Sequence, residues 1–143
     1  MKPETKFWHE LKKNTPTISW TRLENLSAFG TPDLLGYTRS GKFFTVELKV
    51  TKTNTVRLSP HQKAFHIKHP NNSFIIIKAL GARHKGIKLY EGKKVMELDA
   101  CGLKLAPGCL GLEAWARSER ELEDISCCLL IALSGPYCIR NSL

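Results

Sequence analysis

The sequence has no apolar run long enough to cross a bilayer. Its longest, Cys127 to Leu133 (CCLLIAL), falls far short of the about 20 residues a spanning helix needs. The opening MKPETKFWHELKK lacks the apolar stretch and small-residue cleavage site of a secretory signal, so a cytosolic (cytoplasmic) location is expected. Cysteine is sparse and unpaired: the five residues are an odd number without a CxxC motif. A disulfide framework or a zinc ribbon is therefore not expected, and these cysteines read as reduced, mostly buried thiols. Internal repeats and low-complexity tracts are absent. Acidic residues are scarce, 13 Asp and Glu against 22 Lys and Arg, which leaves a net charge of +9. That surplus points to a polyanionic partner, nucleic acid above all, because clustered cations gain affinity by releasing counterions condensed on a phosphate backbone. What remains is ordinary. With 143 residues, 42% hydrophobic and 24% charged, the composition suits one globular domain with its own core, and no composition shift divides residues 1–143.

The pattern along the chain alternates helices and strands. Phe7, Trp8 and Leu11 form one stripe of a short amphipathic helix over 4–13, which Thr15-Pro16 ends. Residues 17–24 (TISWTRLE), 34–37 and 42–50 (KFFTVELKV) read as strands, with a Gly/Pro loop over 25–32 and a turn at 39–41. Ser59 as N-cap and Pro60 at the first helical position begin a second helix that runs to about His69. Residues 73–79 (SFIIIKA) suit a strand buried on both faces, and 87–90 a further strand. Residues 93–117 are broken by glycine and proline. A capping box, Ser118 and Glu121, then predicts a C-terminal helix carrying Leu122, Ile125, Leu129 and Leu133. The reading is an α/β domain with a core over about 5–92 and a C-terminal helical extension over about 93–143.

The chemistry concentrates on the strand at 42–50. Alternation along a strand sends Thr45, Glu47 and Lys49 to one face and Phe44, Val46, Leu48 and Val50 to the other. Asp33, after Gly30-Thr31-Pro32, begins the preceding strand, and a meander brings its carboxylate beside Glu47. Two neighbouring carboxylates repel and rise in pKa unless a cation lies between them. A hard divalent ion such as Mg²⁺ suits them, since it takes oxygen from one or two carboxylates and the rest from water and phosphate. The ammonium of Lys49 is then placed to hold a water or to stabilise charge on a phosphoryl group.

Three segments in order, Thr31-Pro32-Asp33-Leu34-Leu35-Gly36, Val46-Glu47-Leu48-Lys49 and Leu58-Ser59-Pro60-His61-Gln62, resemble the motifs of PD-(D/E)XK nucleases. The likeness is greatest to small single-domain nucleases, often phage-encoded, grouped with VRR-NUC domains and archaeal Holliday-junction resolvases. The lead-in Trp20-Thr21-Arg22-Leu23-Glu24-Asn25 is similar to that of the phage proteins, and the resemblance spans residues 5–92. It implies a restriction-endonuclease-like αβββαβ core around a mixed central sheet, and Mg²⁺-dependent hydrolysis of DNA phosphodiester bonds, with Mn²⁺ as a substitute. Carried over residue by residue, it makes Asp33 and Glu47 metal ligands, the Leu48 carbonyl a third oxygen and Lys49 the catalytic lysine. Gln62 matches the glutamine of the following helix, although Ser59 and Gln62 also spell a capping box. The family's first acidic residue lies on the opening helix; Glu10 is the natural match, with Glu24 and then Glu4 as alternatives.

The implied substrate is branched DNA such as a recombination junction, and paired cuts on a junction imply a homodimer, for which the 118–133 helix offers an apolar face. A non-catalytic nucleic-acid-binding module of the same fold, and a nuclease nicking linear duplex, are the alternatives. Gln62, His66 and His69 share a helical face and read as exposed or phosphate-facing residues rather than a zinc site, for which partners are missing. Trp8 and Trp20 read as core, and Cys127-Cys128 as packing.

Overall fold

The computed structural model describes residues 1–24, 29–39, 41–81, 83 and 85–106. The expected helix over 118–133 and residues 25–28 of the expected loop lie outside these residues, as does Cys127-Cys128. Along the described chain the elements are α1 (Pro3–Asn14), β1 (Ser19–Arg22), β2 (Leu34–Tyr37), β3 (Phe43–Thr51), α2 (Pro60–Lys68), β4 (Ser73–Ala79), β5 (Gly86–Glu91) and α3 (Val95–Cys101). The αβββαβ order expected from the sequence is the order found.

The fold is α/β with one five-stranded mixed sheet in the order β1-β2-β3-β4-β5. β1, β2 and β3 form an antiparallel meander, β3 and β4 run parallel, and β5 returns antiparallel to β4. The one parallel pair requires a crossover, and α2 supplies it. β4 is buried on both faces as its β-branched run suggests: Phe74 and Ile76 join one core while Ile75 and Ile77 join the other.

α1 covers the first face through Phe7, Trp8 and Leu11, packed against Leu34, Phe44, Val46 and Leu48. Its last turn is closed by side chains, Thr15 Oγ1 donating to Leu11 O at 2.7 Å and Asn14 Nδ2 to Glu10 O at 2.9 Å. Trp20 completes this side, its indole N–H donating to Thr15 Oγ1 at 2.7 Å and its ring meeting Trp8 and Phe44 edge-on. Both tryptophans therefore serve the packing expected of them.

The other face is covered by α3 and the segment before α2, with Val56, Leu58, Val95, Leu98 and Leu103 against Ile75, Ile77 and Tyr90. Lys63 of α2 pairs with Asp99 of α3 at 3.2 Å. α2 reverses its sequence polarity: Ile67 is 58% exposed while His66 is 1% exposed. The His66 ring is hydrogen-bonded to Ser73 Oγ, which ties the end of α2 to the start of β4, so the expectation of an exposed His66 gives way to a buried clamp. Among the described residues no helix is long and apolar enough to cross a membrane.

Candidate metal centre

β3 is the central strand, and its register fixes the site. Glu47 lies opposite Ile75 and Lys49 opposite Ile77, so both side chains leave the sheet on the α2 face. The ladder between β2 and β3 ends at Leu34 and Val46, two residues before Leu48. The amide beyond that end needs an acceptor, and the Asp33 carboxylate provides it: Leu48 N–H donates to Asp33 Oδ2 at 2.8 Å. The main chain of Asp33 is fixed as well, its carbonyl accepting from Leu23 N–H at 2.8 Å. The meander thus places Asp33 next to β3 where Glu47, Leu48 and Lys49 emerge.

Gln62 joins the helix to this strand. Its side-chain oxygen accepts the Ser59 N–H at 2.9 Å while its own N–H donates to Ser59 Oγ at 3.1 Å, a complete capping box. The same oxygen accepts from Lys49 Nζ at 3.1 Å, and the amide nitrogen donates to Glu47 Oε1 at 2.6 Å. Capping and site contact were alternatives in the sequence; one side chain does both. Lys49 Nζ stands 3.5 Å from Glu47 Oε1.

The electrostatics are those of an uncompensated acidic pair. Glu47 is 3% exposed. Burial, with the charge of Asp33 added, pushes its carboxyl up to about 8 against the opposing pull of Lys49 and Gln62. Burial raises Asp33 too, opposed by the Leu48 N–H and by the charges of Lys49 and Arg22. One ammonium does not neutralise two desolvated carboxylates. A divalent cation would, and carboxylate oxygens are the donors that a hard ion takes. No group of three His, Cys, Asp or Glu gathers among the described residues, so the remaining ligands of such an ion would be water and phosphate.

The α1 acid is placed differently from the sequence expectation. Glu10 forms an ion pair with Lys78, on the face of the sheet opposite Glu47. The α1 carboxylate whose negative charge acts on Asp33 is Glu4. The spacing alone does not separate them: Glu4 lies three residues before Phe7 and Glu10 three after it, so both border the stripe of α1. Arg22, whose charge also acts on Asp33, lies in the lead-in segment, with no role legible in the sequence. Beside the site Phe29, 81% exposed, stacks on His61 with ring centroids 5.4 Å apart.

No family model and no curated protein sequence matches the chain. Among solved structures, Hjc of Archaeoglobus fulgidus, a Holliday junction resolvase from an archaeal hyperthermophile, aligns at 15% identity over 64% of this chain and 75% of that one, with a TM-score of 0.48. A likeness of that size decides nothing about activity.

Proposed function

We propose that the chain is a metal-dependent endodeoxyribonuclease whose centre is Asp33, Glu47, Lys49 and Gln62. The observation that carries this reading is the Gln62 amide bonded at once to Glu47 and Lys49, which holds a carboxylate and an ammonium in fixed positions beside a second carboxylate. A module that only bound a polyanion would gain nothing from two desolvated carboxylates facing it.

Asp33, Glu47 and the Leu48 carbonyl would hold Mg²⁺ or Mn²⁺, and Glu4 rather than Glu10 would add an outer carboxylate from α1. The ion, when bound, supplies Lewis-acid polarisation of the phosphoryl group and lowers the pKa of water. Lys49 orients the attacking water and stabilises the charge that develops on the phosphoryl oxygens. Gln62 keeps Lys49 and Glu47 apart at a set distance and so fixes the angle of approach. The +9 surplus draws the phosphate backbone towards this acidic centre. Branched DNA is the proposed substrate, cut by a homodimer that places two centres on opposite strands.

A labelled panel of four-way junction, flap, linear duplex and single strand, each incubated with Mg²⁺, Mn²⁺ or EDTA, tests the reading. Incision of branched substrates only with a divalent ion is expected, with paired symmetric nicks on the junction. Binding without cleavage under every metal would make the chain a DNA-binding module instead.

A further inference from the structure

Positive charge attracts every phosphate backbone and does not tell one form of DNA from another. An aromatic pair beside the acidic centre has the chemistry to do so. Phe29 is 81% exposed, and its ring lies against that of His61 with centroids 5.4 Å apart and planes 26° from parallel. This is an offset stack on one side of the phenyl ring. The exposure of Phe29 leaves its other face to solvent, flat and apolar.

The backbone holds both rings. Gly30, at φ +81°, turns the chain directly onto the first turn of α2, where a Cβ would collide with His61 O. His61 stands between Ser59 and Gln62, whose capping box fixes that turn. Downstream, the carboxylate of Asp33 accepts from Leu48 N–H and its carbonyl from Leu23 N–H, both at 2.8 Å. Short routes therefore tie the stack to the acidic centre. His61 precedes Gln62, which meets Glu47 and Lys49, and Phe29 precedes Asp33 by four residues, at most about 14 Å of extended chain. A nucleic-acid strand spans that distance with about four stacked nucleotides at 3.4 Å each.

We propose that the Phe29–His61 stack is a platform for an unpaired base of the bound DNA, within about four nucleotides of the bond to be cut. This rests on the DNA partner of the reading above and adds what selects its form. In continuous duplex every base is stacked on both sides and offers no free face; a flap, a gap or an opened branch point does. Stacking on an aromatic ring accepts any base, so the platform reads structure and not sequence. Phe29 is a specificity determinant here and takes no part in hydrolysis.

Fluorescence anisotropy of the full chain in EDTA reads binding without hydrolysis. Three labelled DNAs of equal phosphate count are compared: a flap with an unpaired arm, the same flap with abasic sites throughout that arm, and a fully paired duplex. The wild-type chain should bind the intact flap most tightly. Phe29→Ala, an exposed change checked by thermal melting, should weaken the intact flap by about 5- to 150-fold, the worth of one base–aromatic stack, and leave the other two DNAs unchanged. Phe29→Trp should restore the preference. Wild-type affinity of Phe29→Ala for the intact flap, or an equal loss on the abasic flap or the duplex, overturns the proposal. Incision in Mg²⁺ is scored apart. A Phe29-dependent preference without cleavage refutes the nuclease reading alone, cleavage without that preference refutes this proposal alone, and absence of DNA binding refutes both.

Discussion

Gln62 Nε2 donates to Glu47 Oε1 at 2.6 Å while Gln62 Oε1 closes the capping box of α2, so helix start and acidic centre share one side chain. The two roles separate by mutation. Ser59→Ala removes half of the cap and should cost about 1 kcal/mol of stability while leaving cleavage within a few-fold of wild type. Gln62→Ala should cost a similar amount and also lower the single-turnover rate by about tenfold or more. Equal activity in the two variants would reduce Gln62 to a cap.

The raised Glu47 carboxyl makes stability depend on pH in a stated direction. Its folded pKa of about 8 lies above the ordinary 4.5, so the folded chain holds more protons than the unfolded chain between those values. Its contribution to stability without metal is fullest below about pH 4.5, falls as pH rises and is gone above about 8. That part of the slope should vanish in Glu47→Gln, measured as urea midpoint against pH in EDTA and compared with wild type.

His66 acts with the opposite sign. Burial lowers its pKa from 6.5 to about 4, so the folded state binds fewer protons than the unfolded state in that window. Its contribution is present above pH 6.5 and is lost as pH falls through 4. Ser73→Ala leaves the ring without its partner and should destabilise by about 1–3 kcal/mol, read by denaturant melts at pH 7.

Glu4 and Glu10 provide a paired comparison on one helix. Glu10→Gln breaks a partly exposed pair with Lys78 and should change stability by no more than about 1 kcal/mol, with cleavage intact. Glu4→Gln should leave stability unchanged and lower the rate or raise the Mg²⁺ concentration needed. The reverse pattern would return the outer acid to Glu10.

Much of this architecture was legible because it depends on local signals. Apolar alternation marks β3, a continuous β-branched run marks β4, and Ser59-Pro60 marks the start of α2. α3 was missed because seven residues between Gly92 and Gly102, with only Val95 and Leu98 turned inward, show too little periodicity to recognise. α2 misled because its buried side chain is a histidine and an isoleucine faces solvent, an arrangement set by the Ser73 hydrogen bond and not by hydropathy. The choice between Glu4 and Glu10 depended on the partner each meets at its own end of α1: Glu10 pairs with Lys78, while the charge of Glu4 acts on Asp33. Both border the stripe of α1, and only the packed sheet separates them.

The measurement closest to the central claim is the single-turnover rate on a labelled four-way junction for wild type, Asp33→Asn, Glu47→Gln and Lys49→Ala, in Mg²⁺ and in EDTA. The expected result is incision by wild type in Mg²⁺ alone, lowered by about a hundredfold or more in each variant while junction binding persists. Cleavage in EDTA, or wild-type rates in Asp33→Asn and Glu47→Gln, would contradict it.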